Sequence, residues 1–198
     1  MKSFEKIGNH LVPGEVYRRA DLAQWSNAVD RHLEQLQGSG TLKKLSGGLY
    51  YCPKQTSFGK APPSERAIVE AFLKDSRFLM FTPSAYNSLG VGTTQLYNET
   101  IVYNHKRHGL FQLGNKSYRF VRKHHFPEKL SVEFLLVDLV NNVTKLAEDT
   151  DRVLQLVAAK AKDMDHSALS NAVTEFGSVR ARKFFARHLQ IGSLHHGH

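Results

Sequence analysis

Between Trp25 and Gly38 the chain carries Asn27, Arg31 and Gln35, one amide or guanidinium every four residues. These side chains pair bidentately with base edges, arginine with guanine and asparagine or glutamine with adenine. Val29, Leu33 and Leu36 stand at i, i+4 and i+7, the apolar stripe of a helix. At ~100° per residue, Asn27, Ala28, Arg31 and Gln35 then fall on or near the face opposite Leu33. Ser26 is a good N-cap for that helix. Arg18 and Arg19 before it, with Lys43, Lys44 and Ser46 after it, complete a set suited to phosphates and base edges.

A second cluster lies near the other end. Arg180, Arg182, Lys183, Arg187 and His188 interleave with Phe184, Phe185 and Leu189. Positions 180, 183 and 187 share one helical face, and 185 and 189 another. Two readings fit: an amphipathic terminal helix with its aromatics inward and its charge solvated, or a surface that meets an acidic protein or nucleic acid.

Signals of catalysis are weak. No GxxxxGK[ST] is present, and Gly90-Val91-Gly92 is only a fragment of a dinucleotide fingerprint. No acidic residue is followed two positions later by lysine, so the compact acid–lysine pairing of metal nucleases is missing. Asp149/Asp151 and Asp163/Asp165 read as helix caps and solvated turns rather than acid–base pairs. His105, His108, His124 and His125 sit among cations that would repel a metal, without a third ligand at a diagnostic spacing. Cys52, the single cysteine, excludes internal disulfides and reads as a small strand residue. The residues predict neither an enzyme nor a cofactor or metal site.

The elements that must hold these residues follow from punctuation and periodicity. Short helices are expected over Lys2–Asn9 and Arg19–Gln24, then the helix after Ser26, closed by Gly38-Ser39-Gly40. Thr41–Leu45 and Leu49–Tyr51 flank Ser46-Gly47-Gly48 as a hairpin. Helix, helix, helix, hairpin is the order of a winged helix-turn-helix, assigned to residues 1–53. Ser57, Gly59, Pro62 and Pro63 give 54–63 the composition of a linker. Residues 64–130 read as mixed α/β and 131–190 as helical. The fold class is therefore α+β, with a DNA-binding domain at 1–53 and a second domain at 64–198. The His-rich end, 194–198, reads as a frayed terminus or cloning remnant.

Composition narrows the partners. The chain has 198 residues, 41% hydrophobic, with a net charge of +9, a balance that favours polyanions. Residues 53–130 carry +7, residues 131–176 carry −4 and residues 177–198 carry +4. The sequence holds no apolar run of membrane-spanning length and no secretory signal, so a cytoplasmic protein without a membrane partner is expected.

Four segments resemble the AbiEi-like antitoxin family of bacterial abortive-infection systems. They are Tyr17–Leu22 through Gly40–Pro53, Ser84–Gly90, Val137–Val143 and Phe176–Arg182, in that order. The resemblance implies an antitoxin that also represses its own operon and counters a nucleotidyltransferase-type toxin, with or without a stable complex. Its winged helix would bind double-stranded promoter DNA, as a monomer or weak dimer. The region beyond would face the toxin, and the resemblance names no surface there. Of its two basic candidates, the +7 middle segment and the terminal run Arg180, Arg182, Lys183 and Arg187, the clustering beside Phe184 and Phe185 favours the second. Asp30 and Glu34 depart from the expectation, because acids on the recognition helix oppose phosphates. A competing reading is a basic RNA-binding module, with Tyr103, His105, His108, Tyr118, Arg119, Phe120, Arg122 and Lys123 stacking and pairing on single strands.

Overall fold

In a computed structural model of the chain, residues 5–94 and 99–189 are described; the His-rich end expected to be frayed lies outside them. The chain is α+β, with its helices concentrated toward the C-terminus. It divides into two compact units: the described residues of 1–76 with Leu110–Tyr118, and those of 77–109 and 119–189. Among the described residues no helix is long and apolar enough to cross a membrane.

The first unit runs α1 (Glu5–Gly8), β1 (Val16–Arg18), α2 (Arg19–Leu22), a 3-10 turn (Ala23–Trp25), α3 (Val29–Gly38), β2 (Lys43–Ser46) and β3 (Leu49–Tyr51). β1, missed by periodicity because it is three residues long, pairs antiparallel with β3, which also pairs with β2. A bulge between Lys44 and Ser46 lets Leu45 turn inward while Lys43 and Lys44 stay exposed. The core gathers Ile7, Leu22, Val29, Leu33, Leu36, Leu42, Tyr50 and Cys52. Burial pushes the Cys52 thiol up in pKa, which keeps it protonated and unreactive.

The expected linker is a correction. Residues 54–61 form a hairpin, β4 (Lys54–Thr56) with β5 (Gly59–Ala61). The Gly and Ser read there as flexible instead build its turn: Gly59 takes φ +105°, and the Thr56 hydroxyl closes onto the Gly59 carbonyl at 2.7 Å. Ser64 then caps α4 (Glu65–Leu73), its hydroxyl accepting from the Ala67 amide. Phe111 from the 110–118 segment packs on Phe72 of α4, and Lys116 pairs with Glu65.

The second unit holds β6 (Phe78–Phe81), a 3-10 turn (Pro83–Leu89) and β7 (Glu99–Asn104), paired antiparallel with Phe78 opposite Asn104. β8 (Gly109–Leu113) and β9 (Lys116–Arg122) complete the sheet order β6-β7-β9-β8; all of β8 after Gly109 and the first three residues of β9 belong to the first unit. Four helices follow: α5 (Val132–Asn142), α6 (Thr150–Lys162), α7 (His166–Phe176) and α8 (Val179–Leu189). Asp149 and Asp165 cap α6 and α7, accepting from the Arg152 and Ala168 amides at 3.1 and 2.8 Å, as the spacing predicts.

One buried carboxylate ties this unit together. Asp138, wholly buried on α5, accepts from the hydroxyls of Tyr86 at 2.6 Å and Tyr103 at 2.8 Å. Lys123 reaches it at 3.3 Å and lies 3.9 Å over the Tyr103 ring. Burial first, then the nearby Asp138, raises both tyrosine pKa values well above the ordinary range, so both remain donors. Replacing Asp138 by Ala strands two buried hydroxyls and an ammonium and should cost about 3–5 kcal/mol. Tyr103→Phe should cost only about 1 kcal/mol, because the rest of the network persists. Urea unfolding of the full chain measures both, and a loss under about 1 kcal/mol for Asp138→Ala would contradict this account.

Candidate nucleic-acid interface

α3 buries Val29, His32, Leu33 and Leu36 and presents Asp30, Arg31, Glu34 and Gln35 to solvent. Arg31 and Gln35 therefore stand on the outward face, as the wheel predicts, and Arg31 makes no ion pair among the described residues. Asn27 is exposed and Ala28 half-buried just before the first turn. Lys43 and Lys44 are exposed on β2, one of the two edge strands of the β1-β3-β2 sheet, with Ser46 half-buried at its end.

Three expectations change. Ser26 is not the N-cap; that position is Ala28, and the Ser26 hydroxyl accepts from the Ala28 amide at 3.0 Å. The same hydroxyl meets Nδ1 of buried His32 at 2.6 Å, which fixes the start of the helix. Arg18 is directed to Asp21 at 2.8 Å, with Nη1 buried, so it is turned away from phosphates. Arg19 is the third. Its Nε and Nη2 grip both oxygens of Asp30 at 2.7 Å each. The hydrogen bond to Arg19 lowers the Asp30 pKa, and the same bond raises that of Arg19.

Sequence reasoning missed His32, Trp25 and His10. His32 occupies an i+3 position beside the Leu stripe, where a polar type gave no sign of burial. His10 stacks on Trp25 with centroids 4.2 Å apart and planes 9° from parallel. With Lys6, Asn9, Gln24 and Asn27 they line a polar cleft of about 630 Å³ beside the first turn of α3.

On α8 the outcome is simpler. Phe185 is buried and Phe184 packs against it edge to face at 5.1 Å, while Arg180, Lys183 and Arg187 are exposed. Arg182 is exposed but donates to the Thr174 carbonyl at 2.9 Å. The aromatics proposed for RNA stacking lie elsewhere: Tyr103, Tyr118 and Phe120 are buried and present no ring to a single strand. Burial also pushes the Tyr118 pKa up to about 12.

The segments Ser84–Gly90, Val137–Val143 and Phe176–Arg182 converge in the second unit. Tyr86 meets Asp138, and Asn141 donates to the Phe176 carbonyl at 2.9 Å and accepts from the Ser178 amide at 2.8 Å. They border a cleft of about 740 Å³ together with Tyr103, Lys123 and Lys145. A Cβ on Gly177 would lie 2.4 Å from the Val173 carbonyl oxygen, so only glycine passes there.

If the Arg19–Asp30 pair masks a cation, Asp30→Asn should release it. The variant should bind random duplex DNA more tightly, with its salt slope steeper by about 0.9. Anisotropy titrations across a salt series read this; an unchanged slope would show that Arg19 does not reach phosphates.

No protein-family model matches the chain, and no curated protein does. A solved structure similar to it is the crystal structure of the RV2827C protein from Mycobacterium tuberculosis, at 15% identity and a TM-score of 0.53. The similarity covers 96% of this chain and 75% of that one. At that identity the likeness is one of fold, and it extends through both units of the α+β chain.

Proposed function

We propose that the chain is a DNA-binding antitoxin that represses its own operon and counters a nucleotidyltransferase-type toxin. The observation that carries the DNA half is the arrangement of the first unit. Helix, strand, helix, helix, strand, turn, strand, with β3 between β1 and β2, is the order of a winged helix-turn-helix. This order supports reading α3 as the recognition helix, whose outward Arg31 and Gln35 suit guanine and adenine edges. Lys43 and Lys44 suit the flanking phosphates.

The antitoxin half rests on the resemblance of the four segments, three of which meet in the second unit. Its toxin-facing surface is α8, where no acidic residue interrupts Arg180, Arg182, Lys183 and Arg187. Arginine forks pair carboxylates, which line the metal-bound phosphate site of a nucleotidyltransferase. Phe185 in the core fixes the direction of these charges.

One experiment with two arms tests the proposal. Duplexes tiling the DNA upstream of the reading frame are titrated with wild type and Arg31→Ala, against random duplex. Arg31→Ala should lose about 1–3 kcal/mol on the preferred duplex and little on random DNA. Separately, Arg180→Glu with Lys183→Glu and Arg187→Glu, folded by circular dichroism, is co-expressed with the product of the adjacent reading frame, which this proposal expects to be a nucleotidyltransferase. Growth rescue should be lost in that variant and kept in Arg31→Ala. Equal losses on both duplexes would remove α3 as the reader, and full rescue by the reversed α8 would remove that surface.

A further inference from the structure

Phe58 stands fully exposed, at 101% of its reference area, on a turn that is firmly held. The Thr56 hydroxyl accepts from the Phe58 amide at 3.3 Å and donates to the Gly59 carbonyl at 2.7 Å. At the base of the hairpin, the hydroxyl of buried Tyr51 donates to the Ala61 carbonyl at 2.6 Å. A lone two-stranded hairpin is marginal in water, so these ties matter: they preorganise a bare phenyl ring instead of folding it inward.

Its surroundings select a polyanion. From Gln35 to Ser64 the sequence has no Asp or Glu and four lysines, Lys43, Lys44, Lys54 and Lys60, all exposed. The Lys60 ammonium lies 3.4 Å from where a Gly40 Cβ would be, just past the end of α3. The Lys60 ammonium therefore lies at the C-terminal end of α3.

The turn between β2 and β3, by contrast, does not project. It is only Gly47-Gly48, and its ends are occupied: Leu45 accepts from the Gly114 amide at 2.7 Å and Gly48 from the Arg19 amide at 2.8 Å.

We propose that the β4–β5 hairpin is the working wing of this chain, placing Phe58 as a wedge in the minor groove that flanks the major groove α3 enters. Lys54 and Lys60 hold the flanking phosphates. This rests on the reading of α3 as a DNA-facing helix. Apolar side chains inserted at a base step unstack it and bend the duplex, whereas lysines add affinity without sequence.

The full chain is titrated with the preferred duplex from the upstream tiling, and the bend is read by gel mobility of circularly permuted fragments. Phe58→Ala should weaken binding by about ten-fold and abolish the bend, while Phe58→Leu keeps both. Lys54→Ala with Lys60→Ala should flatten the salt slope by about 1.8 on any duplex. Wild-type affinity and bend in Phe58→Ala, alongside weakened Arg31→Ala, would overturn the wedge and leave the DNA reading standing. No duplex bound by wild type would overturn both. A Phe58→Ala variant that binds DNA normally but loses self-association in light scattering would assign the ring to a second copy and overturn the wedge.

Discussion

The pairing of Arg19 with Asp30 decides what α3 can offer a partner. Without it, the exposed face of the helix would present two carboxylates beside one arginine, a poor match for phosphate. With both oxygens of Asp30 held by one guanidinium, that pair's charges cancel locally and Arg31, Glu34 and Gln35 are left facing out, with one carboxylate instead of two. The pair is exposed and screened by salt, so its effect is on the field of the face more than on stability. Its pH dependence follows from the signs. The Asp30 pKa is lowered, so the pair is intact above the ordinary carboxylate range and is lost as pH falls through the depressed value. Throughout the neutral range the face keeps the same charge pattern.

In the second unit Asp138 has the corresponding place. It joins the Pro83–Leu89 turn, β7, the residue after β9 and α5 through Tyr86, Tyr103 and Lys123, and Asn141 continues the junction to the start of α8. A buried carboxylate with three donors specifies one arrangement of these elements, because any slip leaves a charge unpaired in the core. That arrangement sets the position of the start of α8, whose basic face is the one proposed to meet a toxin.

Much of this was legible in the residues. Val29, Leu33 and Leu36 gave the helix and its outward Arg31, and Asp149 and Asp165 cap helices as their positions predict. What was not legible depends on contacts distant in sequence. Nothing local distinguishes an Arg19 directed to phosphate from one that grips Asp30, eleven residues on. His32 and Asp138 are polar types that become buried only because Ser26 and two tyrosines reach them. The segment 54–61 has linker composition, yet buried Tyr51 supplies the anchor that a linker lacks.

The central claim is that the outward face of α3 lies against duplex DNA and α8 does not. Photocrosslinking tests it directly, with a photoreactive residue placed at Gln35 in one full-length protein and at Arg187 in another, each mixed with the preferred upstream duplex. The account predicts crosslinked DNA from position 35 and none from position 187. Crosslinking from position 187, or its absence at 35 while the duplex is bound, would contradict it.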